Sequence, residues 1–357
     1  MRFGILGFSQ SGKTTVFNAL TGAAVPVGRA LGAGKVEVHE RLAEIPDRRL
    51  EALSDLLRPR KVTHAQVAVV DIDGLRVEAH GRGLSGGLGD HLGKADALLA
   101  VVRDFADPAV AHPQGGIEPL RDLQRLEDEL LLHDLLAAER RQGRLVEERQ
   151  KGARERAAIE RDQALFEKLH AGLHAGQPLR ELSLSAEEEH SLAGFVLLTR
   201  KPILVLANRG EGPAGEFDLP QRPGRVGLPF SGKLEMEIAQ LPADEAPAFL
   251  EGYGLKDPGR NRVLGACLDL LGLNSFFTVN EQEGKAWLVR RGGTALEAAG
   301  TIHSDLARGF VRAEIIAWDE LIQAGGLPQA KAHGLLRVHG KDHPVADGDF
   351  VLIRSGV

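Results

Sequence analysis

Runs of consecutive apolar residues recur through the first two thirds of the chain. They are Arg2-Phe3-Gly4-Ile5-Leu6, Gln66 to Asp71, Ala97 to Val102 and Pro202 to Asn208, with a shorter run at Arg225 to Pro229. Runs of this length without polar alternation predict strands covered on both faces, as in a parallel sheet. Val36-Glu37-Val38 reads as a short edge strand. Between them the spacing changes to that of helices. Thr15 to Leu20 predicts a helix closed by Thr21-Gly22, and Ile45-Pro46-Asp47 opens one through Leu57 with Leu50, Leu53, Leu56 and Leu57 on one face. Ser185-Ala186-Glu187-Glu188 matches a capping box that opens a short helix to Leu198.

From Ile117 to about Gly176 the pattern is wholly helical. Leu123, Leu126, Leu130 and Ala137 form a heptad-like stripe, and a charged second helix is predicted from Arg154 to His170. Gly143 and Gly152 would bracket the tip between them. This predicts an antiparallel helical hairpin inserted into the sheet domain. Asp244 to Leu273 reads as helical linkers. Strand-like runs then return at Phe276 to Val279, Ala286 to Val289, Ala313 to Ile316 and Phe350 to Ile353, with a helix over Ala298 to Gly309. That predicts a small α+β domain. The expected architecture is α/β: a P-loop domain with a mostly parallel sheet (1–118 and 196–275), an inserted coiled-coil arm (119–195) and a C-terminal α+β domain (276–357).

The turn after the first strand carries chemistry. Gly7-Phe8-Ser9-Gln10-Ser11-Gly12-Lys13-Thr14 fits G-x-x-x-x-G-K-[ST] at every fixed position, between a strand and a helix. Backbone N–H groups and the helix dipole then favour an anion at one point. Ser9, Gln10, Ser11, Gly12, Lys13, Thr14 and Thr15 are therefore candidate nucleotide contacts. Lys13 would reach the β and γ phosphates, and the Thr14 hydroxyl would ligate Mg²⁺. Asp71-Ile72-Asp73-Gly74, at a strand end downstream, assigns Asp71 to the metal and the Gly74 N–H to the γ-phosphate. Leu75 stands where Ras-like proteins carry the Gln that orients water, and leucine cannot do so. Glycines from Gly81 to Gly93 suit either a second switch or a plain flexible loop.

On the base side, Asn208-Arg209-Gly210-Glu211 replaces the N-K-x-D of guanine-binding proteins. Glu211 is one methylene longer than Asp, which alters strict guanine choice. Phe230-Ser231-Gly232-Lys233-Leu234-Glu235 parallels an S-A-K-x-E loop, so Ser231 and Gly232 join Asn208 and Glu211 as candidate base contacts. Two polar strand exits would be the reading without the P-loop.

Charge narrows the partners. The net charge is −6, so the whole-chain field does not favour nucleic acid. Between Glu139 and Arg161, eight Lys/Arg against five Asp/Glu leave a small basic excess at the hairpin tip, more often a solvated face than an RNA contact. The last module carries nine Lys/Arg and ten Asp/Glu. No apolar run spans a membrane. One cysteine, Cys267, and no secretory leader fit a cytoplasmic chain.

The order of these motifs resembles the YchF/Obg-like ATPase family over nearly the whole length. Gly254 to Val263, Ile302 to Glu314 and Gly340 to Asp349 are its most specific stretches, and the last module resembles the family's TGS domain. The resemblance implies ATP used in preference to GTP, with Mg²⁺ and possible use of K⁺, and association with ribosomes or translation factors. It also places His112 near the nucleotide as a catalytic candidate. Two departures stand out. Ala23 to Lys35 contains no hydroxyl where the family's first switch has a Thr, and Phe8-Ser9-Gln10-Ser11 differs from the usual loop interior. The expected function is a slow ATPase, with GTP use possible, switching a translation-linked partner. The alternative is a nucleotide-binding scaffold that hardly hydrolyses.

Overall fold

A computed structural model describes residues 1–27, 37–73, 84, 86–108, 112, 115–152, 155–210, 216–242, 244–255 and 257–356. In chain order the elements are β1 (Arg2–Leu6), α1 (Lys13–Thr21), β2 (Glu37–Ile45), α2 (Arg48–Leu57), β3 (Lys61–Thr63), β4 (Ala65–Asp73), α3 (Gly86–Gly93) and β5 (Ala97–Asp104). The arm helices follow as α4 (Pro119–Lys151) and α5 (Arg156–His174), then α6 (Ala186–Ser191), β6 (Ile203–Arg209), β7 (Arg225–Phe230), α7 (Gly232–Gln240), α8 (Ala246–Gly252) and α9 (Gly259–Leu270). The last stretch holds β8 (Leu273–Val279), β9 (Glu283–Arg290), α10 (Ala295–Ile302), α11 (Ser304–Arg308), β10 (Phe310–Ala317), α12 (Trp318–Ala324), α13 (Leu327–Ala332), β11 (Arg337–His339) and β12 (Asp349–Ser355).

Two compact units result, one from Met1–Leu42 with Ala68–Val263, the other from Ala43–Val67 with Leu264–Val357. The first is built on a sheet of order β2-β4-β1-β5-β6-β7. The pairs β4-β1, β1-β5, β5-β6 and β6-β7 are parallel. Strands β5 and β6 are buried along nearly their whole length, as the continuous apolar runs require. Leu98, Ala100, Val102, Ile203 and Val205 share one core with Leu123, Leu126 and Leu130 of α4, so the root of the arm is part of the sheet's own packing.

The arm diverges from expectation at Gly143. At 33 residues, or about 50 Å at the helical rise, α4 runs unbroken through that glycine. Leu145 and Ala138 are buried to either side of it, and this burial outweighs the ~1 kcal/mol propensity cost of glycine. Gly152, left-handed at φ 61°, ends the helix by donating to the Glu148 carbonyl. Leu165, Phe166, Leu169 and Leu173 of α5 close the hairpin's own core.

Gly86–Gly93 also departs from the loop reading. It forms α3, because Leu88 and Leu92 lie one turn apart and are 1% and 0% exposed. Two of its glycines serve close approach. A Cβ on Gly89 would sit 2.7 Å from His133 Nε2, and one on Gly93 would sit 2.6 Å from Val196 Cγ1.

Buried polar groups fix the arm's root. Asp134 of α4 is fully buried and accepts from the Leu198 and Thr199 N–H groups at 2.8 and 2.7 Å and from Thr199 Oγ1 at 2.6 Å. Glu127, 3% exposed, accepts from Arg180 and, at 3.2 Å, from Arg225 Nη1. The capping box at Ser185 and Glu188 forms as read, but the helix it opens ends at Ser191 rather than at Leu198.

The second unit is a mixed sheet of order β11-β10-β12-β8-β9-β3. Its β10-β11, β10-β12 and β8-β9 pairs are antiparallel, and β12-β8 and β3-β9 are parallel. The helix expected over Ala298–Gly309 is two, broken at His303, whose ring accepts from the Asp305 N–H to cap the second. Leu50 and Leu53 of α2 are buried in the same core as Phe277, Ile316 and Phe350. Arg49 anchors α2 to this unit by donating to Asp47 at 2.8 Å and Asp347 at 2.6 Å. Cys267 is buried, which pushes its thiol well above the ordinary range and leaves it unreactive.

Candidate functional site

The carboxyl ends of β1, β4, β5, β6 and β7 gather at one edge of the first sheet, where ligands of parallel sheets bind. Register places Asp71 opposite Ile5 and Asn208 opposite both Arg103 and Phe230. The turn from β1 to α1 fills the middle of this edge. Two of its glycines are required by space and angle. A Cβ on Gly7 would lie 2.5 Å from the Val101 carbonyl oxygen, and Gly12 has φ 91° with a Cβ position 2.1 Å from Asn208 Nδ2. Gln10 is left-handed at φ 65°, a strained state for a non-glycine residue.

Inside this cradle Ser11 Oγ is buried and takes no hydrogen bond among the described residues. Lys13 is 6% exposed, and its Nζ donates to the Phe8 carbonyl at 3.2 Å. Thr14 Oγ1 donates to Asp71 Oδ2 at 2.7 Å. A backbone turn with a buried cation and an orphaned hydroxyl fits a phosphate chain. A hydroxyl beside a fully buried carboxylate is an all-oxygen donor set, which fits Mg²⁺. Two sequence-derived motif residues, Gly74 and Glu211, lie outside the described residues, as do Leu75 and residues 28–36.

Asn208 is the structural link between the phosphate and base sides. It is 3% exposed. Its Nδ2 donates to the Ser11 carbonyl at 2.9 Å and its Oδ1 accepts from the Gly232 N–H at 3.1 Å. One side chain thus ties the P-loop to the start of α7, with Ser231 directly before it as the N-cap residue. Replacing Asn208 with alanine leaves a buried carbonyl and a buried N–H without these partners. The expected cost is about 1–3 kcal/mol of stability, read by chemical denaturation, with weaker binding of a non-hydrolysable ATP analogue.

Beside Asn208 opens a cleft of about 610 Å³ lined by Gly12, Thr15, Phe105, Asp107, Lys233 and Met236 among others. The sequence reading missed Phe105, Asp107 and Met236. They belong to no motif, and the one available signal was that β5 ends at this edge. Arg103 stacks on Phe105 at 4.5 Å and donates to its carbonyl, which holds that wall. Asn18 braces the opposite side. Its amide donates to the Val25 carbonyl at 2.8 Å and accepts from the Val25 N–H at 3.1 Å, pinning the chain just before Val27, which also lines the cleft.

His112 is neither solvated nor part of this lining. Its side chain is 8% exposed, and Nε2 lies 3.0 Å from Asp122 Oδ2 at the start of α4. Arg121 also donates to Asp122.

Comparison with known proteins agrees with this geometry. Residues 2–136 match the family MMR_HSR1, described as a 50S ribosome-binding GTPase. Residues 273–355 match YchF-GTPase_C, described as a protein of unknown function. The ribosome-binding ATPase YchF of Bacillus subtilis is 34% identical over 371 residues, covering 99% of each chain. That of Haemophilus ducreyi is 36% identical over 362 residues at the same coverage. The solved Schizosaccharomyces pombe YchF GTPase superposes with a TM-score of 0.83 at 27% identity, covering 99% of this chain and 97% of that one. With P-loop, arm and C-terminal unit all aligned in one continuous match, the chain belongs to the YchF family of P-loop proteins.

Proposed function

We propose that this chain is a slow Mg²⁺-dependent ATPase, with GTP as a second substrate, that acts as a switch on the ribosome. The observation that carries the reading is the Thr14–Asp71 pair lying under the Gly7–Gly12 cradle at the carboxyl edge of the sheet. Thr14 and Asp71 would hold Mg²⁺, which when bound offsets phosphate charge. Lys13 would exchange its Phe8 carbonyl for β and γ oxygens, and the backbone of Ser9 to Thr15 would wrap the phosphate chain. The base would enter the cleft beside Asn208 and Lys233, with Glu211 selecting against strict guanine binding.

Slow turnover follows from residue chemistry. Leu75 offers no hydrogen bond to a water, and no hydroxyl lies between Ala23 and Lys35 to close over the metal. The same two features support the second reading, a nucleotide-gated scaffold on a ribosomal partner. His112, held against Asp122, is a proposed positioning residue at the foot of the arm. Ribosome binding rests on the names of the relatives, and cytoplasmic residence follows from it. No helix among the described residues is long and apolar enough to cross a membrane.

The test is calorimetric titration of nucleotide-free protein with non-hydrolysable ATP and GTP analogues in Mg²⁺, followed by phosphate release from ATP with K⁺ present. Tighter ATP binding and release above the Lys13→Ala background are expected. Binding without release would establish the scaffold, and tighter GTP binding would overturn the base assignment.

A further inference from the structure

Away from the nucleotide edge, a second groove of about 530 Å³ opens at the root of the arm. Its long wall is a single stripe of α4: His133, Ala137, Arg140 and Arg144, spaced four, three and four residues apart. Its facing wall is Phe195 and Val196, and Asp90 of α3 stands on its rim. The apolar wall is open to solvent. Phe195 stacks edge-on against Phe166 at 5.0 Å, and Val196 remains 46% exposed.

The charges are unequally used. Arg141, on the next face of α4, is neutralised by Glu148 at 2.6 Å and Asp162 at 3.0 Å, with its guanidinium over Phe195. Arg140 and Arg144 are exposed, lie one turn apart along the groove, and have no ion pair among the described residues. Nothing in the nucleotide reading uses them.

We infer that this groove docks an acidic amphipathic segment of a partner protein. One apolar or aromatic side chain would seat against Ala137, Phe195 and Val196, and carboxylates about a helical turn apart would meet Arg140 and Arg144. The pairing is that of a groove-bound helix, where an apolar anchor supplies area and flanking charges set orientation. Charge complementarity selects the occupant. Two unneutralised guanidiniums beside an exposed valine call for carboxylates around an apolar anchor. A nucleic-acid backbone would leave the apolar wall unfilled. The groove is separate from the nucleotide cleft, and the inference stands whether or not the chain hydrolyses ATP.

The test selects random twelve-residue peptides displayed on phage against the immobilised full chain. The enriched peptides are then made with a fluorescein label and titrated by anisotropy. The expected peptides carry acidic residues three or four apart around a Leu, Phe or Trp. The double variant Arg140→Glu/Arg144→Glu is expected to weaken them at least tenfold, and Val196→Asp to a similar degree. Both arginines are exposed, so thermal unfolding of the double variant should match wild type. Enrichment without acidic bias, no enriched peptide at all, or unchanged affinity in the double variant would overturn the inference. So would arginine-dependent binding of a short RNA duplex that the peptides fail to displace.

Discussion

Replacing Glu127 with alanine is expected to lower the unfolding free energy by about 3–5 kcal/mol, the range for removing one partner from a buried ionic cluster. Both carboxylate oxygens are in use, one toward Arg180 and one toward Arg225. Both arginine side chains are nearly as buried as Glu127 itself, at 3% and 5% exposed. Burial pulls the Arg180 guanidinium below its ordinary value, and the charge of Glu127 is the main effect opposing it. Without Glu127, two desolvated cations would face each other across the root of α4. The remaining hydrogen-bond acceptors, the carbonyls of Thr199 and Pro220, carry no full charge, and Glu181 is left as a weaker charge opposing Arg180's burial. Glu127→Gln keeps the shape and loses the charge, so it should lie between alanine and wild type. Urea denaturation reads the effect as a lower midpoint at similar slope. A Glu127→Ala midpoint within error of wild type would mean that water reaches the arginines and the cluster is not dry.

Lys13→Ala is expected to weaken binding of a non-hydrolysable ATP analogue by roughly a hundredfold, about 2.7 kcal/mol, and to bring phosphate release to background. The reason is position. The amine is buried in the cradle and donates to the Phe8 carbonyl, an acceptor that phosphate oxygens replace with charged partners. Lys13 begins α1, while Val16, Phe17, Ala19 and Leu20 supply that helix's buried face, so thermal stability should hardly move. Equal analogue affinity in the two proteins would remove Lys13 from the phosphate site.

Much of this was legible in the chain. Strands β1, β5 and β6 of the nucleotide edge are buried on both faces, so their apolar runs were unbroken and their ends carried motifs, whereas β7, at the sheet's edge, is only partly buried. The hairpin and the capping box at Ser185 showed in the same way. What was hidden depends on distant partners. Nine-residue β2 reads as Glu-Val-His-Glu-Arg-Leu-Ala-Glu-Ile, an edge strand with buried residues only at Ala43 and Ile45, too few to set a period. The Leu50 and Leu53 face of α2 showed a helix, and nothing in it showed that the C-terminal strands would cover it. Asp134, Glu127 and the two ends of Asn208 look like ordinary polar residues until the fold brings backbone and arginines to them. Glycines misled twice. At Gly143 and along α3, neighbouring leucines outweighed the propensity that glycine lowers.

The fit of α3 against the arm has a mechanical consequence. Turning a helix by one residue rotates its faces by about 100°. Any such turn of α3 would swing Leu88 or Asp90 to the point where Gly89 leaves 2.7 Å for His133, and Lys94 or Leu92 to the place of Gly93 under Val196. The helix therefore behaves as a key with one seating. A side chain at either glycine position would have to displace the His133 ring or Val196. The helix either keeps its register or lifts away from His133 and Val196 as a whole.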